Sequence, residues 1–124
     1  MKYKDFTCFP VWQKSCDLLI KTYKITREFP AEEKFGLTSD MRRASNSNIH
    51  NITEGFGRFG KKDKTRFYKI SRGSCNELQS QTFVSNRLEY IKEALVLRFS
   101  KTFQQSKQNL TLSLNQSKLM KKNN

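Results

Sequence analysis

Between Met41 and Arg58 the chain reads MRRASNSNIHNITEGFGR, and the polar side chains of this stretch are the first candidates for chemistry. Arg42 and Arg43 are adjacent guanidinium groups, the side chains best shaped to contact phosphate oxygens. Glu54 and Arg58 stand four residues apart, the spacing at which opposite charges meet along one helical face. With Asn51 they form a set whose stronger reading is structural: a network, buried or at an interface, that fixes how neighbouring helices register. Phosphate contact through Arg42 and Arg43 is the functional alternative.

A denser basic run follows, with Lys61, Lys62, Lys64, Arg66, Lys69 and Arg72. Lys62, Arg66 and Lys69 share a helical face and are spaced to track a phosphate backbone; the plain alternative is a solvated face. Phe56 and Phe59, each beside glycine, stand just before the run. Such aromatics can stack on bases of single-stranded nucleic acid, although phenylalanines in a helical hairpin more often seal the end of a bundle. The nucleic-acid candidates are therefore Arg42, Arg43, Arg58, Lys61, Lys62, Lys64, Arg66, Lys69 and Arg72.

Arg43 and His50, with six residues between them, are similar in type and spacing to the catalytic pair of HEPN ribonucleases. Arginine would stabilise charge on a phosphorane and histidine would act as acid or base. This metal-independent ribonuclease is the rival to a non-enzymatic protein. No other catalytic arrangement fits. GFGRFGKKD lacks the spacing of a phosphate-binding loop, the carboxylates are too scattered for a metal cluster, and one histidine with three cysteines gives no nucleophile–base pair. No cofactor and no metal are expected.

Composition supports a polyanionic partner. Lys and Arg number 24 against 11 Asp and Glu, a net charge of +13. The excess is uneven: residues 1–60 hold ten basic and seven acidic residues, a net +3, and residues 61–124 hold fourteen and four, a net +10. No acidic residue follows Glu93. A field of this sign draws nucleic acid first, an anionic membrane surface second and an acidic protein third. The odd number of cysteines, Cys8, Cys16 and Cys75, without paired spacing, points to free thiols in a reducing compartment. No signal peptide or membrane span is visible, so a cytoplasmic location is expected.

Four amphipathic helices must carry these residues. The first is expected from about Phe9 to Glu28, with Trp12, Cys16, Leu19 and Tyr23 as its stripe, ending at Phe29–Pro30. The second begins near Thr38 or Ser39 as a cap, with Asp40 in its first turn, and carries Leu37, Met41, Ala44, Asn48 and Ile52. Gly55 and Gly57 offer a left-handed end. The third runs from about Lys62 to Arg87 on Phe67, Ile70, Ser71, Ser74, Leu78 and Gln81, and Gly73 within it suggests close approach of another helix. The fourth begins near Ile91 on Leu95, Phe99, Thr102 or Phe103, Ser106, Leu110 and Leu114. Its polar second half, Gln104 to Gln116, is a weak helix by composition, and residues from about 118 read as a basic flexible tail. Short connections make this a single all-α domain, an antiparallel up-down four-helix bundle.

The chain resembles the four-helix bundle proteins encoded within intervening sequences of bacterial 23S ribosomal RNA genes. The matching residues are VWQKS at Val11 to Ser15, FP at Phe29 and Pro30, EKFGLTSDMRRA at Glu33 to Ala44 and NITEGFGR at Asn51 to Arg58. KD at Lys62 and Asp63 and GSCNEL at Gly73 to Leu78 complete the series. Ile49 stands where the family often has proline, and His50 where a small residue is usual. The resemblance implies a bundle that assembles as a homopentameric ring. It is also similar in fold to the accessory protein of diversity-generating retroelements, a basic pentamer that partners a reverse transcriptase and nucleic acid. The expected function is thus a basic, ring-forming protein that binds nucleic acid (RNA or DNA) or a ribonucleoprotein partner; a purely structural protein–protein scaffold is a further alternative.

Overall fold

A computed structural model describes the backbone of residues 5–122 and the side chains of residues 5–115. A 3-10 turn, Phe6–Cys8, leads into α1, Pro10–Thr26, and a second, Ala31–Glu33, leads into α2, Leu37–Phe56. After these come α3, Lys61–Arg87, and α4, Glu93–Lys122. Each helix packs on its neighbours in sequence, and α4 closes the square against α1. The connections Gly57–Gly60 and Leu88–Lys92 are too short to do anything but reverse the chain, so the result is the expected four-helix bundle.

Local chemistry sets the helix ends, in two places differently from expectation. Pro10 opens α1 at the position where a missing N–H costs nothing. α2 begins earlier than a Thr38 or Ser39 cap requires, at Leu37, and no side chain caps it. The preceding 3-10 turn feeds it directly: the Gly36 N–H donates to the Glu33 carbonyl at 3.0 Å, and the Asp40 N–H to the Gly36 carbonyl at 2.9 Å. At its other end Gly57 is right-handed, with φ −80°, so no left-handed glycine closes the helix. Lys64 closes it instead: Nζ donates to the carbonyls of Gly55 at 3.1 Å and Phe56 at 2.9 Å. A cation on the last carbonyls satisfies orphan acceptors and complements the negative end of the helix.

Gly55 has a packing role that its position near the helix end hides. It is buried inside α2, and a Cβ there would lie 2.5 Å from Cε1 and 2.9 Å from Cδ1 of the buried Tyr68. Its lack of a side chain lets α2 and α3 approach. Gly73, where the close approach was expected, is exposed, with open space around the missing Cβ.

The interior has two apolar clusters. Leu18, Phe29, Met41, Ala44, Cys75, Leu78, Phe99 and Phe103 belong to the larger; Val11, Ile52, Tyr68, Leu110 and Leu114 form the smaller. Between them lies a polar layer with one residue from each helix: Ser15, Asn48, Ser71 and Ser106, each 0 % exposed. The Asn48 Nδ2 donates to the Ser71 carbonyl at 3.0 Å and to its Oγ at 2.9 Å, and the Ser71 hydroxyl donates to the Asn48 carbonyl at 2.7 Å.

The stripe expected on α1 is off by one position. Val11, Ser15, Leu18, Thr22 and Thr26 face inward, and Trp12, Cys16, Leu19 and Tyr23 are half-buried at the flank. Threonine can occupy the core here because its hydroxyl returns to the backbone: Thr22 donates to the Leu18 carbonyl and Thr26 to the Thr22 carbonyl, each at 2.7 Å. On α3 the buried residues are Tyr68, Ser71, Ser74, Cys75, Leu78, Thr82 and Ser85; Phe67 and Gln81 are half-buried and Ile70 is exposed. The α4 stripe holds, and its second half is helical despite its polarity, because Ser106, Leu110 and Leu114 pack inward. The side chains of the expected tail, from about residue 118, lie outside the described residues.

Candidate nucleic-acid interface

The basic candidates divide into those held by the fold and those exposed at the surface. Arg42 is held. Its Nε donates to the Thr26 hydroxyl at 3.0 Å and its guanidinium lies 4.6 Å from the centre of the Tyr23 ring. Asn46 joins the same contact, donating to the Tyr23 hydroxyl at 2.9 Å, so Arg42 fastens α2 to α1. Lys64 is held as the C-terminal closure of α2, and partial burial lowers its pKa. Lys61 is half-buried with its Nζ enclosed. Arg72 is also half-buried.

Arg43, Arg58, Lys62, Arg66 and Lys69 are exposed. Arg43 pairs with Asp40 at 2.8 Å and Arg58 with Glu54 at 3.4 Å, both at open surface where ion pairs are weak. Arg58 and Arg66 each place their guanidinium carbon 4.9 Å from the centre of the Phe67 ring. Lys62, Arg66 and Lys69 begin the outward face of α3. The same face continues through Gly73, Glu77, Ser80 and Val84, all exposed, so it is basic near the α2–α3 turn and small and partly apolar farther on.

Asn51, Glu54 and Arg58 fall into two separate contacts. Asn51 donates to the Ser47 carbonyl at 2.7 Å, and the Ser47 and Ser74 hydroxyls share a hydrogen bond of 2.8 Å that links α2 to α3. Glu54 meets Arg58 at the surface. His50 is exposed on α2, as is Arg43, whose guanidinium is engaged by Asp40.

The two phenylalanines of the turn part company. Phe56 is half-buried and packs on Phe9, ring centres 5.6 Å apart, in the sealing role. Phe59 is 102 % exposed, so the expectation that it seals the bundle end is corrected. Each residue has a glycine beside it in the chain; what separates them is that Phe56 still belongs to α2 and packs on Phe9, whereas Phe59 lies in the turn beyond it.

Among the described residues, no helix is long and apolar enough to cross a membrane. The profile of the family described as 23S rRNA-intervening sequence protein matches residues 8–112, and the chain belongs to that family. No curated protein matches it significantly.

Proposed function

We propose that this member of the 23S rRNA-intervening sequence protein family is a basic, cytoplasmic, ring-forming bundle that binds nucleic acid or a ribonucleoprotein partner of the reverse-transcriptase type, without catalysis. The observation that carries the reading is the start of the outward face of α3. Lys62, Arg66 and Lys69 are exposed there at i, i+4 and i+7, and among the described residues none of them is in an ion pair. They span about 10 Å along the helix axis, and they lie in the half of the chain that carries net +10. A ring would repeat this face around its circumference and multiply the field.

Assembly is supported by the rest of that face. The open space at Gly73, together with Ile70 and Val84 at 46 % and 45 % exposed, offers a narrow surface on which another helix can lie close. A closed ring uses such a head-to-tail contact without growing into a filament. The non-catalytic part of the reading is supported by the setting of Arg43 and His50, both on an open helix surface, with Arg43 engaged by a carboxylate.

Binding of labelled RNA and DNA over a salt series tests the proposal. Log affinity should fall steeply with log salt, and replacing Lys62, Arg66 and Lys69 by glutamine should flatten the slope by roughly 0.9 for each phosphate no longer neutralised. Absence of binding to both nucleic acids at low salt sinks it.

A further inference from the structure

The tip of the α2–α3 turn has a feature that backbone phosphate binding does not use. Phe59 is wholly exposed, flanked by Arg58 and Gly60, and is one of the residues around an open groove of about 620 Å³ that also involves Phe6, Thr53, Glu54, Arg58 and Asp63. An aromatic ring in water at the tip of a turn contributes nothing to the core, so its stabilising surface is unspent in the folded chain. We infer that Phe59 is a stacking platform for an unpaired base, which makes the α2–α3 end of the bundle a binding site for single-stranded nucleic acid. The inference rests on the nucleic-acid reading above and narrows it to single strands.

Charge distribution selects this occupant. Arg58, Lys62 and Arg66 are exposed on the chain that leads away from Phe59, placed to take the phosphates on either side of a stacked base. Glu54, Arg58 and Asp63 all line the groove, with Glu54 paired to Arg58 at 3.4 Å. The carboxylate oxygens can accept from the exocyclic amino groups of bases, so the groove suits base edges, while Lys62 and Arg66 on the helix face suit the backbone. The other bare phenylalanine makes the contrast. Phe35, 89 % exposed in the α1–α2 connection, has Lys34 over its ring at 5.4 Å, with Glu32 and Glu33 nearby in sequence, a setting that is net acidic. Exposure of an aromatic alone does not mark the site; the basic helix beside Phe59 does. A duplex keeps its bases stacked on each other and presents no free face to Phe59, so stacking discriminates single from double strands.

The test measures fluorescence anisotropy of a labelled single strand and of the matching blunt duplex, with wild type, Phe59→Ala and Phe59→Trp, each checked for mass by light scattering. Phe59→Ala should fold as wild type, since the side chain is wholly exposed and buries no surface among the described residues. It should bind the single strand about 5- to 100-fold more weakly, the loss of one stacked base. Its salt slope and its affinity for the duplex should not change. Phe59→Trp should restore single-strand binding. Equal single-strand affinity of Phe59→Ala and wild type overturns the inference and leaves the broader reading standing. A change of mass in Phe59→Ala also overturns it, because the ring then packs on a second copy of the chain. Failure of the wild type to bind either strand form at low salt overturns both.

Discussion

Burial divides residues of one type into different roles. Cys75 is 0 % exposed and burial pushes its thiol up to about 11, with Lys107 and Ser106 beside it pulling the other way; Cys8 is exposed. A thiol reagent at mildly alkaline pH should therefore label Cys8 first and Cys75 last. The same burial predicts the direction of alkaline unfolding. The folded state disfavours the thiolate, so the unfolded chain loses its proton first, near the ordinary value of 9.0. The contribution is level below that pH and lost as pH rises toward about 11. Over this range wild type should lose on the order of 2 kcal/mol more than Cys75→Ala in urea unfolding. Tyr68, raised to about 12, adds a loss of the same sign at higher pH in both proteins. His50 is the only histidine, so any histidine-dependent cleavage must vanish in His50→Ala. Purified protein should leave labelled RNA intact with and without divalent metal. Acid–base help is worth about a hundred- to ten-thousand-fold, so a gel assay has ample range. Cleavage lost in both His50→Ala and Arg43→Ala, with assembly preserved, would reverse the non-catalytic proposal.

Packing between elements depends on small residues and on hydroxyls that satisfy themselves. α2 and α3 are the closest pair, held by the Asn48–Ser71 exchange and the Ser47–Ser74 bond, with Gly55 providing room for Tyr68. A methyl group at Gly55 has nowhere to go: the Tyr68 ring is buried and the Phe67 Cβ lies 3.2 Å away on the same side. Gly55→Ala should therefore destabilise by about 1–3 kcal/mol, the cost of overpacking, even though alanine is the better helix former. Thermal unfolding reads this directly; a rise in melting temperature would show that the two helices have slack. Lys64 belongs to the same junction. It joins the start of α3 to the end of α2, and so serves the turn that presents Phe59.

For the molecule as a whole, one face of α3 carries two proposed tasks at different heights. The basic part lies by the α2–α3 turn, and the part from Gly73 to Val84 lies toward the α3–α4 end. Nucleic acid and a second copy of the chain can then be held without competing. Light scattering at micromolar concentration should give about five times 14.6 kDa. Gly73→Leu should lower that mass while leaving the helical circular dichroism intact, because inside a single chain the position is open. A monomer throughout would end the ring proposal, and an unchanged mass in Gly73→Leu would move the contact elsewhere.

Four helices in antiparallel order follow from the sequence itself, since apolar residues at three- and four-residue spacing and short links leave few other arrangements. The charge excess after residue 60 and the α4 stripe of Phe99, Phe103, Ser106, Leu110 and Leu114 are equally matters of sequence. The α1 register was not: a stripe drawn from hydropathy selects Trp12 and Tyr23, and only the opposing helices decide that Thr22 and Thr26, bonded to their own backbone, face inward. Lys62 and Lys64 are two residues apart in one basic run, yet one is exposed and the other is committed to the carbonyls of Gly55 and Phe56. Phe56 and Phe59 differ in the same way, one against Phe9 and the other in water. Periodicity determines which side of a helix is apolar because it is a property of the chain alone. Whether a given cation or ring is available to a ligand depends on what stands opposite it, and that is settled only when the helices pack.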